Sequence, residues 1–313
     1  MKTLEGAIEI LKKTPYGREK TLPFSREGLE RAIKNTIIDV YTKILDFLPE
    51  STREFLKVAV RRFEIDNIKK ILTSKLQEER RLTEEDLLDL RNLSVVSIRE
   101  LISAKNLREV IEKLKGSPYG RYIEGKLPEE RLETIFAIEM VLDYGFFKEL
   151  IVLNRKLDNI DRKINSFYFG LQCDLLNLEW IIRAKNFFGF SEEKIFSYTV
   201  PFGMYLNNDK LKELVRARNF NEFLKPISDT PWGREIEEVG DLRNPVLETR
   251  LLKKFYETAV NSHLIKSNPF SIGSFIELLC LKEMEIHDIT TIIESKAYDL
   301  PPERVRPFLL MLS

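Results

Sequence analysis

Apolar residues recur every three or four positions along most of the chain, which is the spacing of amphipathic helices. The clearest segments form two sets of three. The first set begins "LERAIKNTIIDV", "LETIFAIEMVLD" and "LETRLLKKFYET", at Leu29, Leu132 and Leu247. The second set is "EIDNIKKILTSK", "DLLNLEWIIRAK" and "EIHDITTIIESK", at Glu64, Asp174 and Glu285. This pattern predicts an all-α fold that contains three copies of one helical unit.

The second set of segments aligns without a gap and recurs about every 110 residues, a period too long for solenoid repeats. Its apolar positions form the stripe of a core-facing helix side. They are Ile65, Ile68 and Leu72; Leu175, Leu178 and Ile182; and Ile286, Ile289 and Ile293. We therefore predict that each segment packs one face against its own domain.

The same register places an acid and a lysine eleven residues apart in every copy. At about 100° per residue, that step returns to almost the same side of the helix. The pairs are Glu64 and Lys75, Asp174 and Lys185, and Glu285 and Lys296, with Asn67, Asn177 and Asp288 one turn along. Two interpretations stay open at this point: a structural charge pair across helices, or a face that lines a partner site.

A short motif also occurs three times, as "TPYGR" from Thr14, "SPYGR" from Ser117 and "TPWGR" from Thr230. We call it the corner motif and predict a structural turn in each copy. In this turn proline fixes φ, the aromatic residue anchors the core, and glycine adopts a backbone conformation that other residues resist. The predicted turn residues are Tyr16, Gly17, Tyr119, Gly120, Trp232 and Gly233. Arg18, Arg121 and Arg234 recur as well, although a turn does not require them.

The repeat register predicts three helical domains, at residues 1–90, 91–197 and 198–313. The second and third copies share a helix that we call the front helix, within "SIRELISAKN" and "KLKELVRARN". Met1 aligns with Ala104, so we expect the first domain to be short at its N-terminal side. Three tandem copies suggest a pseudo-threefold body, and a linear array is the alternative.

The charge balance argues against a nucleic-acid or membrane-surface binder, because the chain has 50 basic and 50 acidic residues. Its apolar runs are short and interrupted by charges, and its N-terminus lacks the apolar stretch of a secretory signal. Two cysteines, Cys173 and Cys280, make no disulfide framework. We therefore expect a cytoplasmic protein.

Motifs for catalysis, metals or cofactors are weak. His263 and His287 lack metal-ligand spacing, and no glycine-rich phosphate loop occurs, so we expect no metal, cofactor or directly bound nucleotide. "TEEDLLDL", with Glu85, Asp86 and Asp89, is similar to the acidic Mg²⁺-binding run of helical isoprenoid synthases. A helix cap at Thr83 is the favoured interpretation, because no second acidic run faces it.

The corner motifs and two longer stretches resemble a known family. The stretches are "VPFGMYLNNDKLKELV" from Val200 and "NPFSIGSFIELLCLKEMEIHDITTIIESKAYDLPPERVRPFL" from Asn268. They look like the C subunit of archaeal and bacterial A/V-type ATP synthases, which is related to the d subunit of the vacuolar ATPase. The resemblance covers almost the whole chain.

This resemblance implies three similar helical domains that form a funnel without catalytic residues. The funnel would sit on the cytoplasmic face of the membrane proteolipid ring, receive the central stalk subunits of the D and F type, and transmit torque. The stalk-contact candidates are Arg61, Arg62, Glu64, Gln172, Asp174, Glu283 and Glu285. The alternatives are a free-standing helical scaffold for soluble partners and, more remotely, the Mg²⁺-dependent enzyme.

Overall fold

The computed structural model describes residues 4–18, 26–77, 82–124 and 135–311. Every regular element in these ranges is helical and none is a strand, so the all-α prediction is confirmed. Leu132, where a helix of the second copy was predicted to begin, lies outside the described residues. The Arg18 side chain does too.

The chain divides into two compact units, Met1–Leu153 and Asn154–Ser313. The border between them falls inside the second of the three domains predicted from the repeats. The predicted three-domain division and its threefold arrangement stay predictions.

The first unit contains nine described α-helices. They are α1 (Leu4–Leu11), α2 (Pro15–Arg18), α3 (Arg26–Leu45), α4 (Glu50–Ala59), α5 (Arg61–Gln77), α6 (Ile98–Ser103), α7 (Leu107–Leu114), α8 (Pro118–Glu124) and α9 (Ile135–Asn154). Helix α6 is the front helix of the second copy, and α8 begins in its corner motif. Helix α5 packs against both α6 and α7.

The second unit contains the remaining described α-helices. They are α10 (Asn159–Arg183), α11 (Glu192–Tyr198), α12 (Asn208–Arg216), α13 (Phe220–Leu224), α14 (Pro231–Val239), α15 (Val246–Val260), α16 (His263–Lys266), α17 (Ile272–Ala297) and α18 (Pro302–Val305). Helices α10, α15 and α17 pack pairwise and carry much of the core. Helix α12 is the front helix of the third copy and packs against α10.

The second set of predicted helices corresponds to α5, α10 and α17. Their predicted core stripe is buried in all three, except that Ile289 is only half-buried. Helices α10 and α17 begin well before the matched segments, and Asp158 and Ser271 cap their first turns by accepting hydrogen bonds from backbone N–H groups. In the first copy the corresponding stretch is divided at Val60 into α4 and α5.

Candidate functional site

The repeated polar residues on α5, α10 and α17 form a candidate site that we call the polar clamp. Each clamp consists of the acid, the Asn or Asp three residues later, and the lysine eleven residues after the acid. The first clamp is Glu64, Asn67 and Lys75; the second is Asp174, Asn177 and Lys185; the third is Glu285, Asp288 and Lys296.

The acid of the first clamp is fully buried and binds the backbone that leads into the second copy. Glu64 accepts hydrogen bonds from the backbone N–H of Val95 at 3.0 Å and of Val96 at 3.3 Å, and from the Ser94 hydroxyl. A buried carboxylate needs several donors to offset its lost hydration. Glu64 therefore ties this linker to α5.

The acid of the second clamp is one methylene shorter and draws its linker closer. Asp174, also fully buried, accepts from the N–H groups of Tyr205 at 2.8 Å and Leu206 at 3.0 Å. A Cβ on Gly203 would lie only 2.0 Å from Asp174 Oδ1, so this approach requires glycine. Burial raises the pKa of Asp174 to about 6, against the opposing effect of the two backbone donors.

The asparagines of the first two clamps pair with one linker residue each. The Asn67 side chain donates to Leu88 O at 2.8 Å and accepts from Leu88 N at 3.0 Å. Asn177 makes the same two bonds with Val200, at 2.9 and 2.8 Å. Each asparagine therefore satisfies both backbone groups of a linker residue.

The lysines hold the front helix of the next copy. Lys75 Nζ donates to Ile102 O in the last turn of α6 at 2.6 Å, and Lys185 donates to Val215 O in the last turn of α12. Carbonyls in the last turn of a helix lack intrahelical partners, and the helix dipole favours a cation there. Acid, asparagine and lysine together fasten the beginning of one copy to the second long helix of the copy before it.

The corner aromatics reach the same acids. The Tyr119 hydroxyl donates to Glu64 Oε2 at 2.5 Å, and burial, together with that carboxylate, raises the pKa of Tyr119. Trp232 is fully buried, and its indole N–H lowers the pKa of Asp174. The N–H does not meet the geometry of a hydrogen bond with any acceptor among the described residues. The corner of each following copy thus lies against the clamp of the preceding one.

Each corner motif is a junction between two helices, because α2, α8 and α14 begin at its proline. The hydroxyl group of its first residue donates to the carbonyl three residues earlier, as Ser117 does to Leu114 O at 2.6 Å. The expectation of an unusual glycine conformation is wrong, because the positive-φ glycines are Gly116, Gly189 and Gly240.

The corner glycines, Gly17, Gly120 and Gly233, are needed for close approach instead. A Cβ on Gly120 would lie 2.4 Å from Leu114 O, and one on Gly233 would lie 2.4 Å from Ile227 O. A Cβ on Gly17 would be 2.2 Å from the Cα of Lys12. The corner helix therefore starts directly against the end of the helix before it.

The third clamp differs from the first two. Asp288 accepts from the N–H groups of Leu310 at 2.6 Å and Met311 at 2.9 Å, so it binds a later stretch of backbone as the asparagines do. The Glu285 side chain is 44% exposed and pairs with Lys282 on its own helix at 3.0 Å. Lys296 makes no hydrogen bond or ion pair within the described part of the chain.

A family model described as the ATP synthase (C/AC39) subunit matches residues 1–308 of this chain. The chain belongs to this family. Members of the family are subunits of the ATP synthase complex, and this one is a structural rather than a catalytic subunit. The resemblance identified from the corner motifs and the C-terminal stretch is therefore confirmed.

Several curated proteins, each named as the C subunit of an A-type ATP synthase, are similar over most of the chain. The protein of Methanocaldococcus jannaschii is 27% identical, with 99% of this chain and 79% of the relative covered. That of Methanothermobacter thermautotrophicus is 27% identical, with 87% and 71% covered. That of Thermococcus kodakarensis is 24% identical, with 98% and 82% covered.

The stalk-contact candidates of this C/AC39 family member lie in different environments. Glu64 and Asp174 are fully buried and hold linker backbone, so they offer no surface to another subunit in this conformation. Arg61, Arg62, Gln172 and Glu283 are half-buried, and Glu285 is the most open acid of the group. Glu64 and Asp174 therefore differ from the other candidates, because their side chains are buried and bind backbone within the chain.

Internal contacts engage several of the half-buried candidates. Arg61 Nη1 pairs with Glu149 Oε1 at 2.8 Å, and the Tyr122 hydroxyl donates to the same carboxylate. Glu283 accepts from the Tyr256 hydroxyl at 2.9 Å. Gln172 donates to the Tyr168 hydroxyl at 3.2 Å.

The remaining polar motifs show no enzymatic arrangement. Asp86 accepts from the Thr83 N–H at 2.9 Å, as the capping interpretation of the acidic run requires. Cys173 and Cys280 are buried, and burial raises the pKa of Cys173. Within residues 4–18, 26–77, 82–124 and 135–311, no group of His, Cys, Asp or Glu is placed to hold a metal ion. None of the described helices has both the length and the apolar character needed to cross a bilayer.

One buried ion pair belongs to a single copy and therefore cannot be predicted from the repeats. The Lys69 ammonium pairs with the buried Asp143 carboxylate at 2.5 Å, joining α5 to α9. Glu179 and Thr290 occupy the positions that match Lys69 in the other copies. Because the lysine is not repeated, the alignment of the copies does not indicate this ion pair.

Proposed function

We propose that this C/AC39 family subunit is a non-catalytic rotor adaptor of a rotary A/V-type ATP synthase. In this role it links the central stalk, made of D-type and F-type subunits, to the membrane proteolipid ring on its cytoplasmic face. It transmits torque between them for ATP-coupled ion transport. The observation that carries the proposal is the family match along residues 1–308.

The polar clamps support a mechanical role. Torque transfer requires elements that keep their relative positions under load, and buried charges with fully used hydrogen-bonding atoms resist separation. Glu64 and Asp174 each hold two successive backbone N–H groups. A helix that fixes the start of the next copy in this way suits a rigid coupling element.

Co-purification from the native membrane tests the role. A tagged chain is expected to recover D-type and F-type stalk subunits together with the proteolipid ring after mild solubilisation. Recovery of neither the stalk nor the ring would overturn the proposal, and recovery of unrelated soluble partners alone would favour the scaffold alternative.

Substitution of a candidate contact residue sharpens the test. Gln172→Trp places bulk on a half-buried candidate position of α10, whereas Lys163→Trp places it on the opposite, exposed side of the same helix. We expect the first variant to weaken stalk binding by about tenfold or more and the second to leave it unchanged. Circular dichroism must first show that both variants fold. If the two variants weaken stalk binding equally, Gln172 is not a stalk-contact residue.

A further inference from the structure

Helices α5, α10 and α17 each have a face with the same order of acidic, apolar and basic residues. A following segment of the chain covers this face on α5 and α10 but leaves it partly exposed on α17. It runs from the clamp acid through two apolar residues to the clamp lysine. The four positions are Glu64, Ile68, Ile71 and Lys75; Asp174, Leu178, Ile181 and Lys185; and Glu285, Ile289, Ile292 and Lys296. Their spacing of four, three and four residues keeps them on one side of the helix.

In the first two copies this face is covered. Ile68, Ile71, Leu178 and Ile181 are each 0% exposed. The acids at one end hold two successive linker N–H groups, and the lysines at the other end hold carbonyls in the last turn of the front helix. Each filled face therefore binds an extended turn followed by a short amphipathic helix.

On α17 the acid and the two apolar residues of this face are more exposed than their counterparts. Ile289 and Ile292 are both half-buried, where their four counterparts are completely buried. Glu285 is 44% exposed, and Lys296 has no described partner. On α17 the acid and the apolar residues are thus more exposed, and among the described residues the lysine lacks the carbonyl partner of its counterparts, as expected if no segment is bound there.

The backbone held by Asp288 does not fill this face. Leu310 follows Asp288 by 22 residues, much as Leu88 and Val200 follow their asparagines by 21 and 23. In the first two copies the acid binds backbone several residues beyond that point, at Val95 and Tyr205. Asp288 therefore takes the place of the asparagines. Glu285 binds no described linker backbone and pairs with Lys282 of its own helix, and Lys296 has no described partner.

We propose that the α17 face formed by Glu285, Ile289, Ile292 and Lys296 docks a segment of a partner subunit of the complex. The segment is an extended turn with two unpaired N–H groups, followed by an amphipathic helix of about two turns that ends on Lys296. Glu285 binds the two N–H groups, and the two isoleucines receive the apolar side of the helix. Membership of the complex supplies the partner, so the inference does not depend on torque transfer.

The chain itself provides a probe of this chemistry. An amidated peptide with the sequence of residues 203–218, "GMYLNNDKLKELVRAR", contains the turn and front helix that fill the second clamp. Binding to the full chain is measured by fluorescence anisotropy. We expect Lys296→Met and Glu285→Gln each to weaken binding about tenfold, and the exposed same-helix control Glu294→Gln to leave it unchanged.

The filled clamps provide a second control. Their own segments are tethered at an effective concentration of about millimolar, so the peptide does not displace them. Lys185→Met is therefore expected to leave the peptide's affinity unchanged. If the peptide binds Lys296→Met and wild-type protein equally, the proposed site is wrong.

A photo-crosslink within the assembled complex tests the site without depending on the stability of a short isolated helix. A benzophenone side chain replaces Ile292, and in the control it replaces Glu294, which points away from the face. We expect Ile292 to crosslink to a short helical segment of another subunit, identified by mass spectrometry, and Glu294 not to do so. Crosslinks of Ile292 only within this chain, or to nothing, would overturn the proposal. Co-purification of the stalk and ring could still succeed in that case, so the two failures are distinguishable.

Discussion

Helices α5 and α17 carry the same stripe of acid, two isoleucines and lysine, yet the two stripes have different surroundings. On α5 the acid and both isoleucines are completely buried, whereas on α17 Glu285 is 44% exposed and Ile292 is half-buried. The difference comes from the neighbouring segment, since α6 and α7 pack on α5. Repeated residues therefore do not guarantee repeated surroundings, because the segments that pack on the two helices differ.

Helices α5 and α10 show a second contrast, because Glu64 and Asp174 both bind linker backbone but differ in side-chain length. Glu64 reaches its linker across an additional methylene, with Leu93 at the position that matches Gly203. The shorter Asp174 brings the linker so near that only glycine fits at 203. The length of the acid and the size of the linker residue are thus coupled.

The largest expected difference concerns the isoleucines. Ile71→Ala should lower the free energy of unfolding by about 2 to 5 kcal/mol, because it empties a fully buried site, and Ile292→Ala in the isolated protein by about 1 kcal/mol or less. Urea denaturation of both variants measures the difference. Similar costs would show that the α17 face is already covered.

The pH dependence of stability tests the buried Asp174. Burial raises its pKa from 3.8 to about 6 in the folded chain, so the folded state binds its proton more tightly than the unfolded state. The resulting stability is complete below about pH 4 and is lost as the pH rises through about 6. Wild-type protein should therefore lose about 2 kcal/mol more than Asp174→Asn between pH 4 and pH 7. Urea denaturation at each pH measures the two stabilities. If wild type and Asp174→Asn show the same dependence of stability on pH, the raised pKa of Asp174 is contradicted.

The coupling between acid length and linker residue predicts a smaller effect. Gly203→Ala should lower the free energy of unfolding by about 1 to 3 kcal/mol, because its Cβ overlaps the buried Asp174 carboxylate. Leu93→Ala, at the matching position in the first linker, should cost less than about 1 kcal/mol, because Leu93 is half-buried. The comparison fails if the two substitutions are equally costly.

The lysines give the smallest expected differences. Lys75→Met should cost about 1 kcal/mol, because it removes the hydrogen bond to the last turn of α6. Lys296→Met should change the stability of the isolated chain by no more than about 0.5 kcal/mol, because its ammonium has no described partner. Thermal melting of the two variants side by side provides the measurement, and a cost at Lys296 equal to that at Lys75 would contradict the open third clamp.

The sequence pattern was sufficient to predict the described helices, the shared side of acid and lysine, and the buried stripe except at Ile289. These depend on helical periodicity, which is visible in one chain. The groups that the acid and lysine bind were not predictable, because they are main-chain groups at Val95, Tyr205 and Ile102. Main-chain donors and acceptors leave no signature in residue type.

The corner motif shows a different limit. Its three occurrences favoured a structural turn, but the reason for glycine could not be read from residue identity. A glycine required for positive φ and one required for close approach look the same in a sequence. Only the position of Leu114 O against Gly120 distinguishes them.

The contact between Tyr119 and Glu64 has a consequence for synthesis of the protein. The two residues are 55 positions apart, so the acid emerges from the ribosome long before the hydroxyl that binds it. At about 5 to 20 residues per second, translation supplies that tyrosine roughly 3 to 11 seconds later. During this interval the first copy has a carboxylate that its finished core would enclose. The N-terminal part of the chain therefore completes its folding only after the corner of the next copy has been made.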